Sequence, residues 1–252
     1  MRRVLIVDAN MHSARLLADL MKGMGAREIV FESDQKGAIE VIRDFEPSLM
    51  FVERFGPRLD GEALVGRLRR SSLSSRKIPV IMVTAEATAT TIKGARDVGV
   101  HEFMVKPFTT GDLIRRLVNV ATRPRPWVEA MGYVGPDRRR FNSGEYTGKR
   151  KRQDEVREIV GKVSEDMDRA GKIILSAINQ FDSDPAQARR ALVAQGEILM
   201  EQAAERGSTP LSEAAFNLVS AAQADGAGLP VLRGPAMAVL AHLSEARGAA
   251  AA

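Results

Sequence analysis

Four polar side chains of this 252-residue chain each close a short apolar run, and they are the first candidates for chemistry. Asp8 follows the run from Val4 to Val7, and Glu53 follows Leu49 to Val52. Thr84 ends the run that begins at Pro79, and Lys106 follows Val105. A short apolar run before a turn reads as a buried parallel strand. Ligands of open parallel sheets bind outside the carboxyl ends of such strands. The four groups would therefore converge on one crevice. Glu53 stands out among them, because a loop with Gly56 and Pro57 follows it and Asp60-Gly61 then opens an amphipathic segment.

The elements that must position these groups alternate along the first 122 residues. Strands are expected at 3–7, 28–32, 49–53, 78–84 and 102–106. Helices are expected at 10–24, 34–45, 60–73, 85–98 and 109–121. The first helix shows the stripe Leu16, Leu17, Leu20, Met21 and Met24, and Gly25 ends it. Asp34 is a candidate N-cap for the second, with Ala38, Ile39, Val41 and Ile42 inward. Five strands alternating with five helices predict an α/β fold with a doubly wound, five-stranded parallel sheet.

The segments Val4 to Asp8, Glu53 to Gly61, Pro79 to Ala85 and Val105 to Phe108 resemble the receiver domain of response regulators, the CheY-like, flavodoxin-like fold. The resemblance spans about half of the chain. It implies a pair of acids for Mg²⁺ after strand one and a phosphoacceptor aspartate after strand three. It also implies a hydroxyl after strand four and a lysine after strand five that hold phosphoryl oxygens, and an aromatic on strand five that repacks. Asp8 matches the first acid, Thr84 the hydroxyl, Lys106 the lysine and Phe103 the switch aromatic. Two positions depart: Ala9 replaces the second acid, and Glu53 stands at the phosphoacceptor position.

Both departures weaken the implied chemistry. Mg²⁺ demands near-ideal oxygen coordination, and Ala9 supplies neither ligand nor charge. Glutamate moves the nucleophilic oxygen outward by roughly one methylene, and a shift of about 1 Å can cost ~10²-fold in rate. The expectation is a receiver without ordinary aspartyl phosphorylation, with Mg²⁺ weak or absent and Asp8 a residual ligand. Glu53 is long enough to pair with Lys106. Such a pair either imitates the charged site in part or leaves it inert, and the sequence keeps both readings open. On a strand, Phe103 reads equally as core. His12 and His101 read as surface or loop residues, because no metal-ligand spacing surrounds either.

The basic character of the chain is local. Residues 137–152 carry a net +5, equal to the excess of the whole chain. Residues 123–152 hold the only Trp and both Tyr, with two prolines at 124 and 126, and are expected to lack regular structure. Within them Tyr133-x-Gly-x-x-Arg138-Arg139 recurs after 13 residues as Tyr146-x-Gly-x-x-Lys151-Arg152. Tyr133, Arg138, Arg139, Arg140, Tyr146, Arg150 and Arg152 are compatible with three readings: a plain linker, a nucleic-acid or acidic-protein contact, or a cyclic dinucleotide site.

Residues 153–252 show four amphipathic segments, expected as a small all-α bundle for output or oligomerisation. Asp184-Pro185, Thr209-Pro210 and Gly234-Pro235 are expected to open the second, third and fourth helices. Phe216 and Met237 are expected inward. His242 precedes Leu243-Ser-Glu and reads as a core or surface histidine. The helix-turn-helix match around 203–219 is poor. Cysteine is absent, and no apolar run approaches the ~20 residues of a membrane span. A cytoplasmic, non-enzymatic protein of bacterial two-component or phosphorelay signalling is expected, with a histidine kinase or an output target as partner and a homo-oligomer possible in principle. The alternative is a DNA-binding or cyclic-dinucleotide-sensing regulator.

Overall fold

The computed structural model describes residues 2–86, 88–138 and 154–251, with side chains at 2–86, 88–138 and 166–245. Two units divide the chain. The first contains residues 1–128 and 133–146, the second 129–132 and 147–252.

In the first unit β1 (Arg3–Val7), β2 (Glu28–Glu32), β3 (Leu49–Glu53), β6 (Val80–Thr84) and β7 (Glu102–Val105) form one sheet in the order β2-β1-β3-β6-β7. All four pairings are parallel. This is the doubly wound order whose switch point lies between β1 and β3, at the carboxyl ends that carry Asp8 and Glu53. The central strands are apolar throughout because helices cover both faces. Val4, Ile6, Leu49, Phe51, Ile81 and Met104 face α1 (Met11–Gly23) and α5 (Thr110–Thr122). Leu5, Val7, Met50, Val52, Met82 and Phe103 face α2 (Gln35–Phe45), α3 (Gly61–Arg70) and α4 (Ala89–Asp97). The period of two along each strand thus becomes two cores.

Caps set the helix limits. Asn10, Asp34 and Asp60 accept backbone N–H bonds at the starts of α1, α2 and α3. Thr88 caps α4, so that helix begins at Ala89 rather than at the expected residue 85. The loop after β3 is also more ordered than expected. It forms a small antiparallel hairpin of β4 (Phe55–Gly56) and β5 (Leu59–Asp60).

The stretch after residue 122 departs furthest from expectation. It contains the strands β8 (Trp127–Ala130) and β9 (Tyr133–Pro136), paired with each other. The glycines that suggested irregularity serve this structure. Gly135 has φ +154°, and a Cβ there would meet Gly99 Cα at 2.9 Å. Only glycine lets β9 lie so close to that turn.

Arg69 of α3 anchors this region of the first unit. Its guanidinium is fully buried and donates to the carbonyls of Gly99, Arg76 and Ile78 at 2.6–2.9 Å. The Trp127 ring lies 5.4 Å away. Arg125 donates to the carbonyls of Val100 and His101. His101 lies in the loop before β7, within the surface-or-loop expectation, but its ring is tied into this network. Its Nδ1 accepts from the Val80 N–H at 3.2 Å and lies 3.3 Å from the Arg69 guanidinium. Both donors require a neutral ring with its proton on Nε2.

In the second unit α6 (Asp154–Asn179), α7 (Pro185–Glu205), α8 (Thr209–Gln223) and α9 (Leu229–Ala251) share a core of Ile174, Leu192, Leu199, Leu218, Leu232 and Val239. Pro185 opens α7 with Asp184 as cap, as expected. The last helix differs. It starts at Leu229 and holds Pro235 inside. Leu232, Ala236, Val239 and Leu243 form one buried stripe across that proline, and their packing outweighs one missing N–H. Phe216 and Met237 point outward, not inward. The buried Glu129 carboxylate accepts from Gln187 Nε2 at 3.0 Å. No described helix is long and apolar enough to cross a membrane.

Burial, together with the charges of Arg69 and Arg125, pushes the His101 imidazole down to about 2. The unfolded chain protonates near 6.5, so it binds more protons than the folded one below that pH. Stability is then complete above about pH 6.5 and falls as pH drops, by at most ~1.4 kcal/mol per unit. Denaturant unfolding followed by Trp127 fluorescence reports the first unit. Between pH 7 and 5 the wild type is expected to lose up to about 2 kcal/mol more than His101→Asn. Parallel pH curves for the two proteins would contradict this assignment.

Candidate functional site

The crevice is built at the carboxyl ends of β1, β3 and β7. Parallel register brings Val7 beside Val52, so the next residues along the two strands, Asp8 and Glu53, emerge at the same edge. β7 lies on the far side of β6, and Lys106 follows it. Its backbone N–H donates to the Thr84 carbonyl at 2.8 Å, which fixes the root of the side chain.

From there Lys106 reaches across the sheet edge. Its Nζ donates to Asp8 Oδ2 at 2.7 Å and to Glu53 Oε2 at 2.5 Å. The structure thus brings together three of the four predicted pocket residues. The second oxygen of each acid is also held. Asp8 Oδ1 accepts the Asn10 N–H at 2.8 Å, and Glu53 Oε1 accepts the Arg54 N–H at 2.9 Å. Burial alone would lower the Lys106 ammonium, but the hydrogen bonds and charges of Asp8 and Glu53 outweigh it and raise its pKa above the usual lysine range. Two carboxylates around one ammonium leave the cluster at −1, a poor host for an anion.

Thr84 stands at the same edge but does other work. Its Oγ1 accepts the Glu86 N–H at 3.3 Å. Phe103 is buried among the residues facing α2, α3 and α4.

The residues do not fit a Mg²⁺ ion. Both acids already accept from Lys106, and position 9 presents a methyl group. That methyl is half-buried, and a Cβ on Gly56 would come within 3.1 Å of it. The β4–β5 hairpin therefore passes close to position 9. Among the described residues no group of three or more His, Cys, Asp and Glu is placed to hold a metal.

Two features here go beyond the sequence reading. At Gly61, expected only to open an amphipathic segment, the first is a close backbone approach. A Cβ there would come within 2.2 Å of the Glu53 carbonyl, so only glycine lets α3 start against the end of β3. Arg54 is the second. It donates from Nε to Glu62 Oε1 at 2.6 Å, lies 3.6 Å from Glu86 Oε2, and stacks 4.4 Å from the Phe55 ring centroid. It ties the loop after β3 to α3 and to the loop after β6. No sequence spacing signals this, because the three elements meet only in the folded sheet.

The basic segment is seen only in part. Tyr133 is buried, and its hydroxyl donates to the Pro136 carbonyl. Arg138 covers the Tyr133 ring at 4.4 Å and pairs with Asp97 at 3.1 Å. Arg139, Arg140, Tyr146, Arg150 and Arg152 lie outside the described residues. His242 of α9 has its Nδ1 3.2 Å from Glu245 Oε2.

The family model described as the response regulator receiver domain matches residues 4–118. The phosphate regulon transcriptional regulatory protein PhoB of Pseudomonas aeruginosa is 30% identical over 125 residues, 50% of this chain and 54% of that protein. The transcriptional regulatory protein PdtaR of Mycobacterium tuberculosis is 28% identical over 134 residues, 53% of this chain and 63% of its own length. A two-component response regulator from Clostridium difficile, known by crystal structure, is 20% identical with a TM-score of 0.44, covering 49% of this chain and 98% of that one. The chain spans about half the length of most of the curated relatives it matches.

Removing the ammonium leaves two carboxylates facing each other with little water. Lys106→Met is expected to destabilise the first unit by about 3 kcal/mol, the scale for breaking a buried pair. Adding Glu53→Gln should restore part of that loss, because one stranded charge is removed. Additive losses in urea unfolding, again followed through Trp127, would show that the two side chains do not interact.

Proposed function

Taking residues 4–118 as what they are, a response regulator receiver domain, we propose that this chain passes its signal by protein–protein contact without accepting a phosphoryl group. The observation that carries the reading is the position of Lys106 Nζ, hydrogen-bonded to Asp8 and Glu53 together. The lysine that the resemblance assigns to a phosphoryl oxygen already has its anion, supplied by the chain itself. Glu53 contributes −1, where a phosphoryl group would bring about −1.5 to −2. The arrangement is therefore permanent and somewhat weaker than a charged site.

Three further features support it. The Glu53 carboxylate is held at both oxygens, so its attack on a phosphorus atom would first break the bond to Lys106. Metal binding would compete with that same ammonium, so Mg²⁺ binds weakly or not at all. Phosphoryl transfer relies on positioning and charge stabilisation, and the longer Glu53 and the missing acid at position 9 weaken both. The partner in this reading is another signalling protein, a histidine kinase or an output target, which recognises a receiver surface held in one arrangement. The chain performs no turnover of its own.

The test is phosphoryl uptake from a small acyl phosphate with Mg²⁺. Wild type is expected to take up none above background. Ala9→Asp with Glu53→Asp should take up the label in a Mg²⁺-dependent way, with the hairpin at Gly56 yielding to the new acid. Stoichiometric labelling of the wild type would overturn the proposal.

A further inference from the structure

Arg54 follows Glu53 directly, and its backbone is fixed on both sides. Its N–H donates to the Glu53 carboxylate and to the Val83 carbonyl, and its own carbonyl accepts the Gly61 N–H at 2.7 Å. From this rigid root the side chain runs toward α4, with only 15% of it exposed. Its Nε donates to Glu62 Oε1 at 2.6 Å. That same oxygen lies where α4 comes closest, since a Cβ on Gly94 would meet it at 2.8 Å. Among the described residues Arg54 is the one ion-pair partner of Glu62. α4 therefore packs against a partly buried ion pair, and Gly94 leaves the room for it. A second arm reaches the loop before α4, where Arg54 Nη1 lies 3.6 Å from Glu86 Oε2. Glu86 joins that loop together: its N–H donates to Thr84 Oγ1, and its carbonyl accepts the hydroxyl of the buried Thr91 at 3.2 Å.

We infer that Arg54 is the positioning residue for α4 and for the loop that leads into it, acting through Glu62 and Glu86. The two arms are unequal. Glu86 is 72% exposed, so its pair with Arg54 is weak. Glu62 is 21% exposed and sits against α4, so removing its counter-charge would strand a carboxylate that has little access to water. That carboxylate would then turn toward solvent, and α4 would lose the group that Gly94 packs against. Arginine suits the task because its planar fork can face two carboxylates at once, which a lysine cannot do. The consequence for signalling is a surface beside the crevice that is already ordered before a partner arrives. Such a surface spares the partner the ordering cost of binding. The inference concerns position alone and holds whether or not the chain accepts a phosphoryl group.

Hydrogen–deuterium exchange of the full chain tests this. Arg54→Gln should speed exchange of the amides at 88–97 by about tenfold, while those of α1 at 11–23 exchange as in the wild type. Arg54→Lys keeps a charge for Glu62 and should restore part of the protection. Gly94→Ala supplies the decisive comparison. With Arg54 holding Glu62 in place, the added methyl meets the carboxylate, and exchange in α4 should quicken. In the Arg54→Gln background the carboxylate is free to move aside. Alanine, the better helix former, should then slow exchange instead. Opposite signs in the two backgrounds are the signature of residues that act through one another. Phosphoryl uptake plays no part in this readout, so its outcome is separate from that of the labelling test. Unchanged exchange at 88–97 in Arg54→Gln, an equal loss in α1, an Arg54→Lys no better than Arg54→Gln, or the same sign for Gly94→Ala in both backgrounds would overturn the inference.

Discussion

One ammonium between two carboxylates governs the carboxyl edge of this sheet. Lys106, Asp8 and Glu53 come from strands that are not neighbours in sequence, and their contact exists only because the parallel register aligns the ends of β1 and β3. A partly buried charge needs a counter-charge, and the chain supplies it from within. Glu53 reaches the lysine with one carboxylate oxygen and keeps the other on the Arg54 N–H. The β4–β5 hairpin passes close to position 9, where a Cβ on Gly56 would lie 3.1 Å from the Ala9 methyl.

A second buried cation performs a structural task at the start of the strands. Arg69 gathers the carbonyls of Gly99, Arg76 and Ile78, and the aromatic ring of Trp127 lies against it. Burial pulls its guanidinium below the usual arginine range, while the many carbonyl partners replace the water it has lost. β9 lies close to this region through the contact of Gly135 with Gly99. The residues just past the sheet are thus secured by the same chemistry that closes the pocket, a buried positive charge satisfied by fixed oxygens.

Much of this was legible in the sequence. Apolar runs ending in Asp8, Glu53, Thr84 and Lys106 identified the strands and the edge at which they converge, because a strand covered on both faces must be apolar along its length. Arg69 was not legible. In Arg67-Leu-Arg69-Arg70 it looks like one more solvated charge, and only the turn at Gly99 and the 3-10 turn before β6 reveal its burial. The β8–β9 hairpin was hidden for a related reason. Its prolines and glycines read as disorder, yet Gly135 is required by a close backbone approach that no local pattern encodes. Phe216 and Met237 fit a helical stripe as well as their buried neighbours do. Which side of a helix faces inward depends on partners that periodicity does not name.

The carboxyl edge of the sheet depends on Lys106 being held by Glu53 as well as by Asp8. The most direct measurement is an NMR titration of the Lys106 ammonium in the wild type and in Glu53→Gln. A wild-type pKa above the ordinary ~10.4 of lysine is expected, with a fall when the glutamate charge is removed. A Lys106 that titrates like an exposed lysine, or that does not respond to Glu53→Gln, would contradict it.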